Sequence, residues 1–141
     1  MGALERKRKM YMMSWIEEEG KVEASLGGRI TVEEMHVFAE ELRDVVATFE
    51  RRPYVLTIDH SKAKPFDGPS MRLLSDLKDR CLNGNAEKII SIVDDEDEMS
   101  LMTNERLMPV LQGREQIVMA ATTSEWYGAE TVEIPFERRA A

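Results

Sequence analysis

A single cysteine has no partner within the chain, so Cys81 excludes an internal disulfide and any paired-cysteine metal site. Its helical spacing from Leu74 and Leu77 makes it a small core residue. Long apolar runs are also missing: none approaches the roughly 20 residues that a helix needs to cross a bilayer. The basic cluster Arg6 to Lys9 is followed by a short stretch interrupted by Ser14 and Glu17, which does not read as a secretory signal, and a cytoplasmic protein with no membrane span is expected. An excess of positive charge is lacking too. With a net charge of -8 and basic residues mostly dispersed among acids, the chain has no concentrated surface for phosphate contacts, so nucleic acid is not expected as a partner. Glycine-rich loops of the nucleotide-cradling kinds are absent, as are internal repeats, and no cofactor is expected.

What is present suits one folded domain. The 141 residues are 43% hydrophobic and 33% charged, enough to bury a real core without a second domain. Met10 to Ile16 and Val22 to Leu26 read as strands flanking a hairpin turn at Glu17 to Lys21, the second with Val22, Ala24 and Leu26 on one face. After Gly27-Gly28, Thr31 and Glu34 have the spacing of a capping box. An apolar stripe of Met35, Phe38, Leu42, Val45 and Phe49 follows, with Glu33, Glu40, Arg43 and Asp44 outside it and Pro53 as its stop. Tyr54 to Asp59 reads as a buried strand, Pro69 to Leu82 as a helix, Asn83-Gly84-Asn85 as a left-handed turn, and Lys88 to Val93 as another strand. Helical spacing returns from Met99 to Leu111, where Pro109 must bend that helix or end its regular part early, before a last strand from Gln116 to Ala121. Residues 1–9 read as a basic tail. In the C-terminal extension, 122–141, a short helix near Ser124 to Tyr127 and an extended Val132 to Pro135 both fit.

Strands alternating with single helices require crossovers and hence parallel pairing. The expected fold is therefore α/β, a single domain with a mixed, mostly parallel sheet, an N-terminal β-hairpin and ββαβαβαβ order. Strands as apolar as Ile89 to Val93 need cover on both faces, which three helices supply only in part, so self-association into a homo-oligomer is one way to complete it.

The corner from Asp59 to Arg72 is the clearest working surface, because a buried strand ends on one carboxylate and a second carboxylate opens a helix. Asp59-His60-Ser61 and, eight positions on, Asp67-Gly68-Pro69-Ser70-Met71 resemble the corresponding segments of the STAS domain of bacterial anti-sigma-factor antagonists. The resemblance extends over roughly Val22 to Gly113, through the order of elements, the Gly27-Gly28-Arg29-Ile30 turn and Leu107 to Gly113. It implies a signalling module that binds an anti-sigma factor or kinase-like regulator and takes part in transcription regulation. The chain departs from the family at one telling place: Gly68 stands where the phosphorylated serine or threonine is usual, with Pro69 next. Ser70 is then the candidate phosphoacceptor, since added negative charge suits a helix start. Lys62 and Lys64 also replace small or apolar loop residues.

Other chemistry is weighed against this. Adjacent residues on an extended chain point in alternating directions, so Asp59, His60 and Ser61 cannot relay a proton among themselves as a hydrolytic triad. His60 is expected to face solvent, and His36 to lie at a helix boundary. Asp59, Asp67, Asp94 and Asp95 fall near strand ends where oxygen ligands gather magnesium; against that, Asp67 fits as N-cap of the Pro69 helix and Asp97 of the Met99 helix, and no metal is expected. The ten methionines fill irregular cores by default. The resulting expectation is a protein-binding module, not an enzyme, docking through Asp59, Ser61, Lys62, Lys64, Asp67, Gly68, Ser70 and Arg72. The alternative is a domain for small hydrophobic ligands, with a pocket between helices and sheet lined by Met71, Leu74, Met99 and Met102.

Overall fold

The alternation of Val22, Ala24 and Leu26 becomes the inner face of a strand at the heart of a mixed sheet. A computed structural model describes residues 4–7, as backbone, and 11–120. In chain order the elements are β1 (Leu4–Lys7), β2 (Tyr11–Ile16), β3 (Lys21–Gly28), α1 (Val32–Ala47), β4 (Tyr54–Ala63), α2 (Gly68–Asn83), β5 (Ala86–Val93), α3 (Glu96–Glu105), α4 (Leu107–Leu111) and β6 (Glu115–Met119). The described strands form one sheet in the order β1-β2-β3-β4-β5-β6. β1, β2 and β3 pair antiparallel, and β3 to β6 pair parallel. This is the expected α/β architecture with its N-terminal hairpin.

Each local signal has a physical counterpart. The turn between β2 and β3 closes through Gly20, whose φ of 65° a side chain rarely adopts, and a Cβ there would lie 3.0 Å from the Pro53 carbonyl oxygen. Thr31 caps α1 as a box: its hydroxyl accepts from the Glu34 amide at 3.2 Å, and its own amide donates to the Glu34 carboxylate at 2.8 Å. Met35, Phe38, Leu42 and Val45 on α1 are buried against the sheet, joined by Phe49 past the helix end. α1 ends at Ala47, and its last carbonyls are satisfied by a short turn before Pro53 is reached.

Four expectations need correction, the first being the end of β4, which runs on to Ala63 instead of stopping at Asp59. Leu4–Lys7 is not a tail but an edge strand paired with Met12 to Trp15; its basic, non-alternating sequence gives no period-two signal. Gly84 has φ -95°, so the turn after α2 is not left-handed there. Asp95, not Asp97, caps α3, accepting from the Glu98 amide at 2.9 Å. Of the two outcomes expected of Pro109, the early end is the one seen: Pro109 has no N–H for the Glu105 carbonyl, and the chain breaks at Arg106 (φ -116°, ψ 32°) between α3 and α4. The extension from 122 onward lies outside the described residues.

The described helices share one face of the sheet. α1 packs on α2, Leu74 and Leu77 join Leu56, Ile58 and Ile89 in the main core, and Met102 of α3 packs with Val93 and Ile117. Sequential strand order with right-handed crossovers produces this one-sidedness. Val55, Thr57, Ile90, Ile92 and Val118 occupy the other face by alternation along the paired strands. The capping box sets a measurable term: Thr31→Ala is expected to lower unfolding free energy by about 1 kcal/mol in urea titration without changing the m-value.

Candidate docking corner and a buried polar cluster

β4 reaches the corner through a register shift. Ser25 of β3 faces Asp59, but Gly27 faces Lys62, so β4 carries one extra residue between them. Such a bulge takes an amide off the ladder, and here Asp59 supplies the replacement acceptor: its Oδ1 takes the Ser61 amide at 2.8 Å and the Ser61 hydroxyl at 2.6 Å. Asp59 is buried and ties the bulge inside β4, which runs on to Ala63 instead of ending at this carboxylate as expected. The strand then closes against β3 once more, with the Lys64 amide donating to the Gly28 carbonyl at 2.8 Å.

The second carboxylate fixes the helix. Asp67 Oδ1 accepts from the Ser70 amide at 2.8 Å, and Pro69 sits in the first turn of α2, where its missing N–H costs nothing. Between the two anchors Phe66 packs its ring 5.6 Å from that of His60. Lys62, Lys64, Pro65, Asp67, Gly68, Pro69 and Arg72 are exposed, and Ser61 is half-buried. Lys62, Lys64, Asp67, Gly68 and Arg72 therefore lie exposed on one segment running from the end of β4 through the loop into α2, whereas Asp59 and Ser70 are buried.

Ser70 does not belong with them. It has no exposed surface, and its hydroxyl has no hydrogen-bond partner among the described residues. A phosphoacceptor must meet a kinase, which a fully enclosed hydroxyl on the third residue of a helix does not. The expectation for His60 fails in the same direction: it is 3% exposed, on the helix-facing side of β4. Burial, and next the nearby Lys78 ammonium, hold its imidazole down at about 3, far below the ordinary 6.5, so it is neutral. His36 is exposed. The described residues contain no group of three or more His, Cys, Asp or Glu arranged to hold a metal, and Asp67 and Asp95 are engaged as caps.

Inside α2 lies a constellation that sequence reasoning passed over. Lys78 is fully buried, and its ammonium donates to Ser91 Oγ at 2.8 Å and to Glu115 Oε2 at 3.2 Å, with Met102 Sδ at 3.6 Å. Ser91 in turn donates to the same Glu115 oxygen at 3.0 Å. Arg106, delivered inward by the break before Pro109, gives Nε to Glu115 Oε1 at 2.8 Å and Nη1 to the Ser75 carbonyl at 3.1 Å and Asp79 Oδ1 at 2.8 Å. One carboxylate thus serves two cations from different helices. Burial pushes the Lys78 ammonium down to about 8 even though Glu115 pulls the other way. The signal was present in the sequence: Lys78 stands on the inner stripe with Leu74 and Cys81, and Ser91 interrupts an isoleucine-rich run.

The remaining candidates are core. Met71 and Met99 pack with Met102, Val93 and Ile117, Leu74 belongs to the main cluster, and the surface grooves beside α2 are lined by other residues. Cys81 is buried against Tyr54; burial raises both the thiol and, chiefly, the phenol above their ordinary ranges, so both stay protonated.

Two tests follow from these groups. Glu115→Leu strands two buried cations and is expected to cost about 3–5 kcal/mol, whereas Lys78→Met is expected to be neutral or stabilising, because the Arg106–Glu115 pair survives and a poorly solvated charge is removed. Urea titration of both variants reads the difference. His60 is neutral in the fold and protonates in the unfolded chain below about 6.5, so the unfolded state binds the extra proton and stability falls as pH drops from about 6.5 toward 3. The acid limb of a pH series is expected to be shallower in His60→Leu than in the wild type, and an equal slope would show that His60 does not contribute.

Comparison with known proteins gives no relative to set beside this geometry: no protein-family model matches the chain, and no curated protein matches it.

Proposed function

We propose that this chain is a non-enzymatic protein-binding module, docking a regulatory partner through the loop and helix start at residues 59–72. One observation carries the reading: the loop is tied at both ends by its own carboxylates, Asp59 and Asp67, while Lys62, Lys64, Gly68 and Arg72 between and beyond them face solvent. A surface rigid before contact loses little conformational entropy when a partner arrives. Three exposed cations on an otherwise acidic protein select a partner with a complementary acidic patch and favour its approach.

The resemblance to STAS-type anti-sigma-factor antagonists supports the same surface, since it aligns Asp59 and Asp67 with the family's corner aspartates. In this reading the chain works as a bacterial cytoplasmic signalling component. Its docking is not switched by a phosphate at the α2 start, because Gly68 offers no hydroxyl and Ser70 is enclosed. Asp59 accepts from both the amide and the hydroxyl of Ser61, which suits a structural corner.

Affinity capture from a bacterial lysate with wild type, Lys64→Glu and Arg72→Glu tests the placement. Each reversal is expected to weaken recovery of the partner about tenfold, or about 1.4 kcal/mol, while circular dichroism shows an unchanged fold. Equal recovery by all three proteins would remove the interface from this corner.

A further inference from the structure

α2 has a second functional end. Between its C-terminal turns and the α3–α4 break lies an open groove of about 560 Å³, whose walls include Asn83 of α2, Asn104 of α3, Arg106, Leu107, Met108, Gln112 and Arg114. Arg72 and Asn83 stand about 16 Å apart along the helix at ~1.5 Å per residue, so the groove is separate from the docking corner.

Two independent observations point to an occupant. The first is an unmet donor: Arg106 is 3% exposed and lines the groove, and although Nε and Nη1 are bonded, Nη2 has no hydrogen-bond partner among the described residues. A buried guanidinium N–H left without an acceptor costs about 1–3 kcal/mol, a debt that a carboxylate oxygen settles best. Arg114, on the same wall, is bonded to the Leu82 and Ala86 carbonyls at 3.0 and 2.8 Å and to no carboxylate among the described residues. The second is an apolar rim that the described fold does not use. On α4, Met108 is 61% and Leu111 70% exposed, with Leu107 beside them. Large apolar side chains clustered at the mouth of a groove mark a binding surface.

We infer that this groove binds a carboxylate-bearing apolar segment of a protein partner, the acid meeting Arg106 and Arg114 and the apolar side chains covering Leu107, Met108 and Leu111. A peptide fits better than a small ligand for two reasons. The rim extends past the groove along α4, and the amides of Asn83, Asn104 and Gln112 match the donors and acceptors of a peptide backbone. Among the acids of the wall, Asp79 is already paired with Arg106; exposed Glu105 opposes the ligand. The inference shares with the proposed function only the premise that the chain binds protein, and it uses different residues.

The probe is a blocked, amidated hexapeptide alternating leucine and glutamate, titrated into isotopically labelled full-length protein and followed by amide chemical shifts. Shifts confined to the ends of α2 and α3, to α4 and to Arg114 are expected. Met108→Glu is expected to weaken binding at least tenfold, and Glu105→Gln to strengthen it a few-fold. Arg106→Lys is expected to weaken it at least fivefold, and since that variant keeps the charge at Glu115, its spectrum shows whether the fold survives. Counterpart peptides with glutamine or lysine in place of glutamate are expected to bind at least fivefold more weakly. Equal binding by either counterpart, shifts located elsewhere, or no shifts at millimolar peptide would overturn the assignment. Lys64→Glu separates the two readings: it leaves these shifts unchanged even if the corner proves not to be the partner's site.

Discussion

Glu115 is the residue on which the helical side of the molecule depends. It opens β6, yet its two oxygens reach Lys78 on α2, Ser91 on β5 and Arg106 at the break between α3 and α4. Four elements are thereby referenced to one carboxylate whose side chain is fully buried. Buried charges of this kind contribute little net stability against an apolar alternative, but they tolerate only one arrangement. A helix shifted by one turn, or a strand slipped by one residue, would strand a charge, and that penalty selects the register seen here. The arrangement also explains why α3 and α4 meet at an abrupt break rather than a gentle bend, since Arg106 must turn inward where a continuous helix would place it differently.

The fold was largely legible from the sequence because its signals were local. The Thr31–Glu34 box, the stripe from Met35 to Phe49 and the alternation in β3 each act within a few residues, and each produced the expected element. Pro109 announced that the helix must bend or end early, because the lost bond to Glu105 was visible; the inward pull on Arg106, which goes with the break, was not. β1 was missed for a different reason: four residues of basic character carry no period, and only pairing with β2 makes them a strand.

The site was legible by half. Asp67 was placed correctly because an N-cap follows from chain-local rules, whereas Asp59 lies inside β4, whose continuation to Ala63 its apolar run did not announce. Ser70 and His60 were placed on the wrong side of the surface. For Ser70, the N-cap geometry that identified Asp67 also turns the third helical residue toward the sheet. For His60, the ring lies on the inner face of β4 against Phe66, beside a bulge that chain-local rules do not announce. A polar residue type suggested exposure, and tertiary packing overrode it. Lys78 illustrates the same limit, for a lysine on an inner stripe reads as an error until its distant partner at 115 is known.

The sheet is laid down strand beside strand, in the order the ribosome delivers it. A nascent chain can therefore assemble most of its architecture from neighbours already made, with one helical crossover to close at each parallel step. Lys78, however, emerges long before the acid that neutralises it. Until the last described strand arrives, the α2 ammonium has neither its anion nor a dry place to sit, and the half-built domain stays open along that seam. The final strand is then less an edge added to a finished sheet than the latch that lets the interior dehydrate.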